Sequence, residues 1–402
     1  MKRRNFLYTT AGLAAGGLIG PRRILRADEP KPLVRMDTPV GQKATVGVAR
    51  GSSMTDAVRK AVQLSGGMDF LAEGETVLIK PNCTGAFVSP TTTAPEVLYA
   101  VIKLAAERGP RRILVSDRCF SPLFSEASPR TIDVMKAVGH LDAVEQARTE
   151  TKANIIAIGF EEAEREYKEL GVEPKTPRWQ RMKPEGASHW PRGYELAQLL
   201  FSVDHVINVP VIKTHFQAWF TMSMKAFVGM SHHRTRLEFH SEKSGGRGLA
   251  DQLGVHALEF KNSRRRRGIK KDMHKEEEEI YPFVAKIAEL NLGFKPTLNI
   301  MDGSKSFVFG GPSHGDEAEP KVIVASRDRV AADVVGVSIL KHFGCEERIM
   351  NRSVWQIPFV RHACKIGIGV QSNEEIDLAV DDLPYLDEVK KFLAEPVIKS
   401  AS

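Results

Sequence analysis

Several common sequence signals are missing from this chain. None of its four cysteines forms a C-x-x-C pair, which argues against a ferredoxin-type iron–sulfur cluster or a structural zinc ribbon. No G-x-x-x-x-G-K-[ST] motif occurs, so a Walker-type phosphate site is excluded. The cysteines are compatible with one or two disulfides and equally with buried small apolar side chains.

An excess of charge of one sign is also missing from most of the chain. The formal net charge is +7, but residues 1–27 hold six lysines and arginines and no acid. Without those six, the remainder of the 57 cations nearly balances the 50 acids. A nearly neutral remainder lacks the basic surface typical of nucleic-acid-binding proteins, so no nucleic-acid partner is predicted.

The first segment is typical of a twin-arginine signal peptide. Residues 1–27 place Arg3 and Arg4 before an apolar run rich in glycine and alanine, and end at Ala27. That run is too short and too rich in glycine for a stable membrane span. Because such signals are read by a receptor, the twin-arginine export machinery is a predicted partner, and the predicted location is the periplasm or the cell exterior. A basic N-terminal helix or an uncleaved anchor is the alternative.

Strand-like and helix-like segments alternate over most of the chain. Apolar runs such as ETVLIKPN (75–82), RRILVSD (111–117) and PTLNIMDG (296–303) predict strands, and helical periodicity lies between such runs. This alternation predicts an α/β fold with a mainly parallel sheet and helices on both faces. The charged segment around 231–282 lacks the regularity and is predicted to be an irregular excursion.

Domain bounds follow from these shifts in composition. We assign 1–27 to the signal peptide, 28–43 to a linker, 44–385 to the α/β domain, with a division into two lobes left open, and 386–402 to a C-terminal tail. Within the domain, YELAQLLF is predicted to form a helix. Thr93 is a candidate N-cap for another helix around 95–108.

Polar side chains follow several of the predicted strands. Lys80 and Asn82 end one strand, Lys213 and His215 end another, and Asp302 ends a third. In open α/β sheets, ligands bind in the crevice outside the carboxyl ends of the strands. These residues are therefore the first candidates for a binding site.

The segment NVPVIKTHFQAWFTMSMKAFVGM places two lysines and a histidine among apolar residues. Burial of an unpaired ammonium is costly, so Lys213 and Lys225 are predicted to bind an anion such as a phosphate or carboxylate. His215 is a candidate catalytic acid or base, or a metal ligand. Spacing leaves the alternative equally open, in which the lysines extend to solvent and His215 bonds a backbone carbonyl.

Two further motifs carry candidate residues. KPNCTG resembles a generic anion cradle, with Lys80 and Asn82 as ligand-binding candidates, although a strand-to-loop turn explains it as well. Asp302, within MDGSKSFVFGGPSHG, is a second candidate catalytic residue that could take a metal, a ribose or a lysine. Turn chemistry explains Asp-Gly equally well. The identity of any cofactor or metal stays open.

Five segments together resemble the domain-of-unknown-function family 362. VLIKPN, TTTAPEVLYAVIKLAAERG, VINVPVIKTH…MSMKAFVGM, NIMDG…GGP and VIVASRDRVAADVVG occur in that family's order and spacing, over residues 45–380. The family's K-N-x-x-G begins at Lys225 here, so Ala226 replaces an asparagine. Some relatives carry cysteine clusters in a C-terminal ferredoxin-like domain. This chain has no such cluster, so the resemblance does not imply iron–sulfur binding.

A further resemblance is to the lactate racemase N-terminal domain family. Its members have a histidine near a Gly/Ser-rich turn and a basic residue between α/β lobes. Lys213, His215 and Lys225 are similar to that layout. The nickel-pincer chemistry of that family is not carried over.

Three functions are compatible with these features. The preferred interpretation is an exported enzyme in which the candidate lysines hold a small anionic substrate or cofactor, and His215 or Asp302 moves a proton. The alternative is a periplasmic protein that binds an anion or a metal without turnover. The third is an interaction with a polyanion through the arginine run at 264–267.

Overall fold

The computed structural model describes residues 42–119, 130–161, 179–240 and 273–396. The predicted signal peptide, most of the predicted linker and the arginine run at 264–267 lie outside these residues.

The strands are β1 Ala44–Ala49, β2 Thr76–Pro81, β3 Arg112–Val115, β4 Ile155–Ala157, β5 Trp179–Met182, β6 Tyr194–Ala197, β7 His205–Val209, β8 Lys213–His215, β9 Trp219–Thr221, β10 Leu298–Gly303, β11 Ser306–Gly310, β12 Gly315–Ala318, β13 Val322–Ser326 and β14 Ile376–Asp381. The α-helices are α1 Met54–Leu64, α2 Pro95–Ala106, α3 Thr131–Ala137, α4 His140–Thr151, α5 His233–Phe239, α6 Met273–Leu290, α7 Arg329–His342, α8 Glu347–Met350, α9 Pro358–Lys365 and α10 Leu386–Leu393. Short 3-10 helices cover Gln198–Phe201, Lys225–Met230, Val354–Gln356 and Asn373–Glu375.

One large sheet organises the fold. Its 8 strands run in the order β14-β1-β13-β10-β7-β2-β3-β4. Only β13 is antiparallel to its neighbours in this sheet, β1 and β10, whereas the other pairs are parallel. The chain passes from β10 to β13 through the β11–β12 hairpin without a helical crossover, and an antiparallel return follows from such a connection. The prediction of a mainly parallel α/β sheet is confirmed.

Helices cover both faces of this sheet because successive strand residues point to opposite sides. Along β2, Leu78 belongs to one buried apolar cluster, whereas Val77 and Ile79 belong to the other. Helices α6, α7 and α9 contribute to the cluster of Leu78, and α1, α2 and α4 contribute to the opposite one. The predicted helices on both faces are therefore confirmed.

The helix predicted for YELAQLLF is wrong. Its first half, Tyr194–Ala197, forms β6 and pairs antiparallel with β5, and its second half forms the 3-10 helix Gln198–Phe201. The strand that pairs with it, Trp179–Met182, lies at the end of a charged segment with no strand pattern of its own. Pairing with a partner distant in sequence overrides the local helical pattern, because strand formation depends on neighbours more than on intrinsic preference.

Two segments assigned to irregular structure are partly helical. The predicted excursion at 231–282 begins with α5 and ends within α6, while 241–272 lie outside the described residues. The predicted tail at 386–402 begins with α10, in which Val389 and Leu393 are buried. This helix is amphipathic, so its apolar face completes the core instead of leaving a free tail.

Two sequence predictions can be compared with the described residues, one about membrane-spanning helices and one about disulfides. No described helix is both long enough and apolar enough to cross a membrane. All four cysteines are free, with Cys83, Cys119 and Cys345 buried. They act as small apolar side chains, which favours that alternative over disulfides.

Leu78 offers a test of the core at the central strand β2. Its side chain is fully buried, so Leu78→Ala is expected to lower the free energy of unfolding by about 2–5 kcal/mol. Leu237→Ala is the control, because Leu237 is 42% exposed and the same truncation there should change stability by no more than about 0.5 kcal/mol. Denaturant unfolding measures both, and equal losses would contradict the assigned burial.

Candidate functional site

The candidate site lies where the order of the sheet reverses. Strand β3 follows β2 on one side, whereas β7 lies on the other side of β2, and all three are parallel. The connections leave β2 and β7 in opposite directions, which opens a crevice at the carboxyl ends of the strands. A cavity of about 90 Å³ lies there, with room for several water molecules or one small anion.

Four cations and one carboxylate line this cavity. The charged lining residues are Lys80, Asp117, Arg118, Lys225 and Arg236. Lys80 ends β2, and Asp117 and Arg118 follow β3, as the strand-end rule requires. Lys225 begins a 3-10 helix and Arg236 lies in α5.

Lys80 and Asp117 form a buried ion pair across the ends of two neighbouring strands. Lys80 Nζ lies 2.9 Å from Asp117 Oδ1, and their side chains are 1% and 3% exposed. The backbone N–H of Cys83 donates to Asp117 Oδ2 at 2.7 Å. Burial raises the pKa of Asp117, and the Lys80 ammonium opposes that rise. The two charges largely cancel, so this pair fixes the shape of the cavity and adds little to its net electrostatic potential.

Gly229 lets the backbone approach this ion pair. A Cβ atom at this position would lie 2.8 Å from Lys80 Nζ and closer still to Asp117 Oδ1. Any larger residue would therefore displace the pair. The carbonyl of Gly229 also accepts the backbone N–H of Arg118 at 3.0 Å, which joins the end of the 3-10 helix to the loop after β3.

Lys225 differs from Lys80 because its ammonium has no partner among the described residues. It lines the cavity and is partly exposed, and no hydrogen bond or ion pair of its Nζ occurs among the described residues. Burial, together with the charges of Arg236 and Lys80, lowers the pKa of Lys225 to about 7. This amine therefore exchanges its proton near neutral pH.

The hydrogen bonds of Arg236 in the described structure go to backbone carbonyls, while the carboxylates of Asp117 and Glu161 lie near enough to favour its charge. Its guanidinium donates to the carbonyls of Cys119 at 2.8 Å, Arg118 at 2.9 Å and Ser231 at 3.1 Å. Burial lowers the pKa of Arg236 to about 10, well above neutral pH. The guanidinium thus remains charged and adds positive potential to the cavity.

His215 lines the cavity with a defined tautomer. Its Nδ1 accepts the backbone N–H groups of Gln217 and Ala218, both at 3.1 Å, so the proton of the neutral ring lies on Nε2. These bonds lie within the β8–β9 hairpin and hold the ring in place.

The β8–β9 hairpin holds His215 through a strained residue. Trp219 has a φ of 72°, a left-handed conformation that is costly for a bulky side chain. The guanidinium groups of Arg348 and Arg352 lie 5.0 and 5.2 Å from its ring, at cation–π distance. The surrounding structure thus imposes this turn, and the turn supplies the amides that orient the imidazole.

Asn82 lines the cavity, but its polar atoms bond within its own loop. Its side-chain nitrogen donates to Thr91 O at 3.1 Å, and its Oδ1 accepts the Thr84 hydroxyl at 3.0 Å. Thr93, the predicted N-cap, instead accepts the Asn82 backbone N–H and donates to Val209 O at 2.6 Å. Ala94 is the N-cap residue of α2.

Lys213 and Asp302 do not line the cavity. Lys213 Nζ donates to Thr91 O at 2.5 Å and to Pro312 O at 2.9 Å, and burial holds its pKa well below the usual range. Asp302 accepts the backbone N–H groups of Ala94 at 2.8 Å and Ser304 at 2.9 Å, and burial raises its pKa. The lysine ties two loops together, and the carboxylate anchors the start of α2. Both residues therefore stabilise structure next to the cavity and do not face a ligand in it.

The comparisons with known proteins place this fold in a family. The model for a domain of unknown function, DUF362, matches residues 77–338, a span that contains every residue lining the cavity. The chain belongs to the DUF362 family. The thylakoid-associated protein sll1697 of Synechocystis sp. is 26% identical over 292 residues, which cover 72% of this chain and 70% of that protein.

One solved structure shows a weak similarity. The lactate racemase apoprotein from Thermoanaerobacterium thermosaccharolyticum is 16% identical, with a TM-score of 0.37. The similarity covers 73% of this chain and 57% of that chain. A similarity of this strength carries no argument about the site.

The DUF362 motif around Lys225 lies directly on the cavity. Ala226, where the family resemblance leads one to expect asparagine, lines the cavity beside Lys225 and is 7% exposed. This protein therefore presents a methyl group where a carboxamide would offer a donor and an acceptor.

Sequence reasoning missed several residues of this DUF362 site. Asp117 is the polar end of the predicted strand RRILVSD, but neither it nor the adjacent Arg118 is among the candidate site residues taken from the sequence. Arg236 lies in a segment without strand or helix periodicity, and no local signal marked it. Gln217 and Thr221 also line the cavity, and their buried Nε2 and Oγ1 atoms have no hydrogen-bond partner in the described structure.

The contrast between Lys80 and Lys225 gives a stability test. Lys80→Met is expected to lower the free energy of unfolding by about 3–5 kcal/mol, because it leaves Asp117 buried without its partner. Lys225→Met, the same substitution in the same cavity, should not lower stability, because that ammonium has no partner to lose.

The pH dependence adds a second readout to this comparison. An unfolded lysine titrates near ~10.4, and folded Lys225 titrates at about 7. Between these pH values the unfolded chain binds more protons, so wild-type stability relative to Lys225→Met should rise with pH across this window. Thermal unfolding of both proteins at several pH values measures this difference in stability. A fall across that window would contradict the assigned environment.

Proposed function

We propose that this DUF362 protein is an enzyme that binds a small anionic substrate or cofactor in the cavity, with Lys225 exchanging a proton with it. The observation that carries the proposal is the Lys225 amine. It lines the cavity, has no partner among the described residues and has a pKa of about 7. A group that binds or releases protons near neutral pH is suited to general acid–base chemistry.

The charges of the cavity favour an anion. Asp117 neutralises Lys80 at 2.9 Å, and Glu161 lies 3.5 Å from Arg118. Lys225 and Arg236 remain without a carboxylate partner in the described structure. An anion in the cavity would pair with both cations and restore the proton of Lys225, because a nearby negative charge favours the charged amine.

Neutral donors in the lining complete the expected recognition. Gln217 Nε2 and Thr221 Oγ1 are buried without a hydrogen-bond partner, and leaving such groups unpaired is unfavourable. A carboxylate or phosphate oxygen would accept from both once these two side chains rotate towards the cavity. His215, with its proton on Nε2, is the second group proposed to move a proton. Asp302 would act only by anchoring α2, because it does not line the cavity.

The alternative is a binding protein that captures an anion without turnover. The same cations would serve it, but a lysine used only for charge has no need of a pKa near neutrality. Lys225→Arg separates the two functions, because arginine keeps the charge and cannot exchange a proton at neutral pH. A binding protein keeps its full function in that variant, whereas an enzyme keeps binding and loses turnover.

Anion binding is expected to depend on pH through Lys225. Calorimetric titration with sulfate and oxalate, neither of which titrates between about pH 6 and 9, should show affinity falling up to tenfold per pH unit above about 7. The loss of the Lys225 proton is the cause. Lys225→Arg should bind with a flat pH profile, and Lys225→Met should bind at least tenfold more weakly. Wild-type affinity that is flat with pH, or unchanged in Lys225→Met, would refute the proposal.

We further propose that the protein is exported by the twin-arginine route to the periplasm or cell exterior. Arg3 and Arg4, followed by the apolar Gly/Ala-rich run, support this location. Fractionation of the native cells is expected to place a form beginning after Ala27 outside the cytoplasm. The double change Arg3→Lys and Arg4→Lys should leave the full-length precursor inside. A full-length wild-type protein confined to the cytoplasm would exclude export.

A further inference from the structure

Two histidines and a glutamate from separate elements meet away from the cavity. His189 lies in the loop between β5 and β6, Glu289 lies near the end of α6, and His362 lies in α9. His189 Nδ1 is 2.7 Å from Glu289 Oε1, and His362 Nε2 is 3.1 Å from the same oxygen. One ligand atom of each residue lies within 4.8 Å of the others.

The Glu289 carboxylate is buried without a lysine or arginine partner in the described structure. It is fully buried, and its hydrogen bonds come from Ser188, from His189 and from His362. A carboxylate buried in the core is stabilised by a positive charge beside it, and a metal ion held by these three residues would supply one.

A hydrogen bond to the ring nitrogen that faces away from Glu289 orients the ring of His362. The Tyr281 hydroxyl lies 2.8 Å from His362 Nδ1. The hydroxyl can accept a proton from Nδ1, which frees Nε2 to bind a metal ion in place of the proton that it donates to Glu289. A hydrogen bond of this kind on the outer ring nitrogen is usual for histidines that bind metals.

Access to the cluster exists on one side. The side chain of His189 is 29% exposed, and the residue lines a surface groove that Arg181, Arg192 and Tyr194 also line. An ion could therefore enter past His189, and one coordination position could remain open towards the groove. Glu289 and His362 lie on the buried side.

We propose that His189, Glu289 and His362 bind one divalent transition-metal ion, with Zn²⁺ the best match. Two histidine nitrogens and one carboxylate oxygen are an established zinc ligand set that leaves a fourth position for water or a ligand. Zinc bonds of about 2.0–2.2 Å in a tetrahedron place ligand atoms roughly 3.3 Å apart. The three ligand atoms lie within 4.8 Å of one another, so the partly exposed His189 side chain must rotate to bring them all to this spacing. The site is independent of the anion cavity.

The metal itself is the probe in the experiment. The purified full chain is stripped with a chelator and titrated with Zn²⁺ by calorimetry, and with Co²⁺ by visible absorption. We expect one equivalent of Zn²⁺, a rise in Tm, and the absorption bands of four-coordinate cobalt. Affinity should fall as the solution is acidified, because protons compete with the metal ion for the ligand atoms.

Matched variants locate the bound ion. The variants His362→Ala and His189→Ala are expected to lose the one bound equivalent of Zn²⁺, and Glu289→Gln is expected to bind Zn²⁺ at least tenfold more weakly. His314→Ala is the control, because it removes an exposed histidine outside the cluster and should keep full binding. Wild-type protein that takes up no stoichiometric Zn²⁺, or equal binding in His362→Ala, would overturn the proposal. The wild-type titration decides the matter even where a variant does not fold.

Discussion

The buried ion pair between Lys80 and Asp117 joins the carboxyl ends of β2 and β3 at the point where the sheet order reverses. Both side chains are almost fully buried, so each charge is stable only because the other is 2.9 Å away. The pair also receives the Cys83 backbone N–H and leaves no room for a side chain at Gly229. Three loops are thereby held against one another, and the cavity lies between them.

Charge compensation separates the supporting lysines from the functional one. Lys80 pairs with a carboxylate, and Lys213 donates to two carbonyls that tie the loops together. Lys225 has neither kind of partner in the described structure, and the nearby guanidinium of Arg236 raises the cost of its charge. Folding alone would not favour such an arrangement, because an uncompensated cation destabilises the core. A ligand that supplies negative charge would remove this cost.

Those features of the fold that depend on the local sequence could be predicted from it, and those that depend on distant partners could not. Apolar runs alternating with helical periodicity indicated a mainly parallel sheet, because a strand buried on both faces must be apolar throughout. The antiparallel direction of β13 depends on a hairpin connection, and the strand β6 depends on a partner at Trp179–Met182. Neither cause is visible within the segment itself, so YELAQLLF was assigned the wrong structure.

The sequence by itself determined that Lys80 and Asn82 emerge at a strand end beside the cavity, whereas β7 ends at Val209 and His215 reaches the cavity from the separate hairpin strand β8. Only the tertiary structure decided which of the candidates face a ligand and which serve the fold. Lys213 and Lys225 look alike in the sequence, yet one is bonded to carbonyls and the other is not. The physical reason is that the free energy of a buried charge depends on atoms within a few ångströms. Those atoms come from distant parts of the chain, as they also do at Glu289.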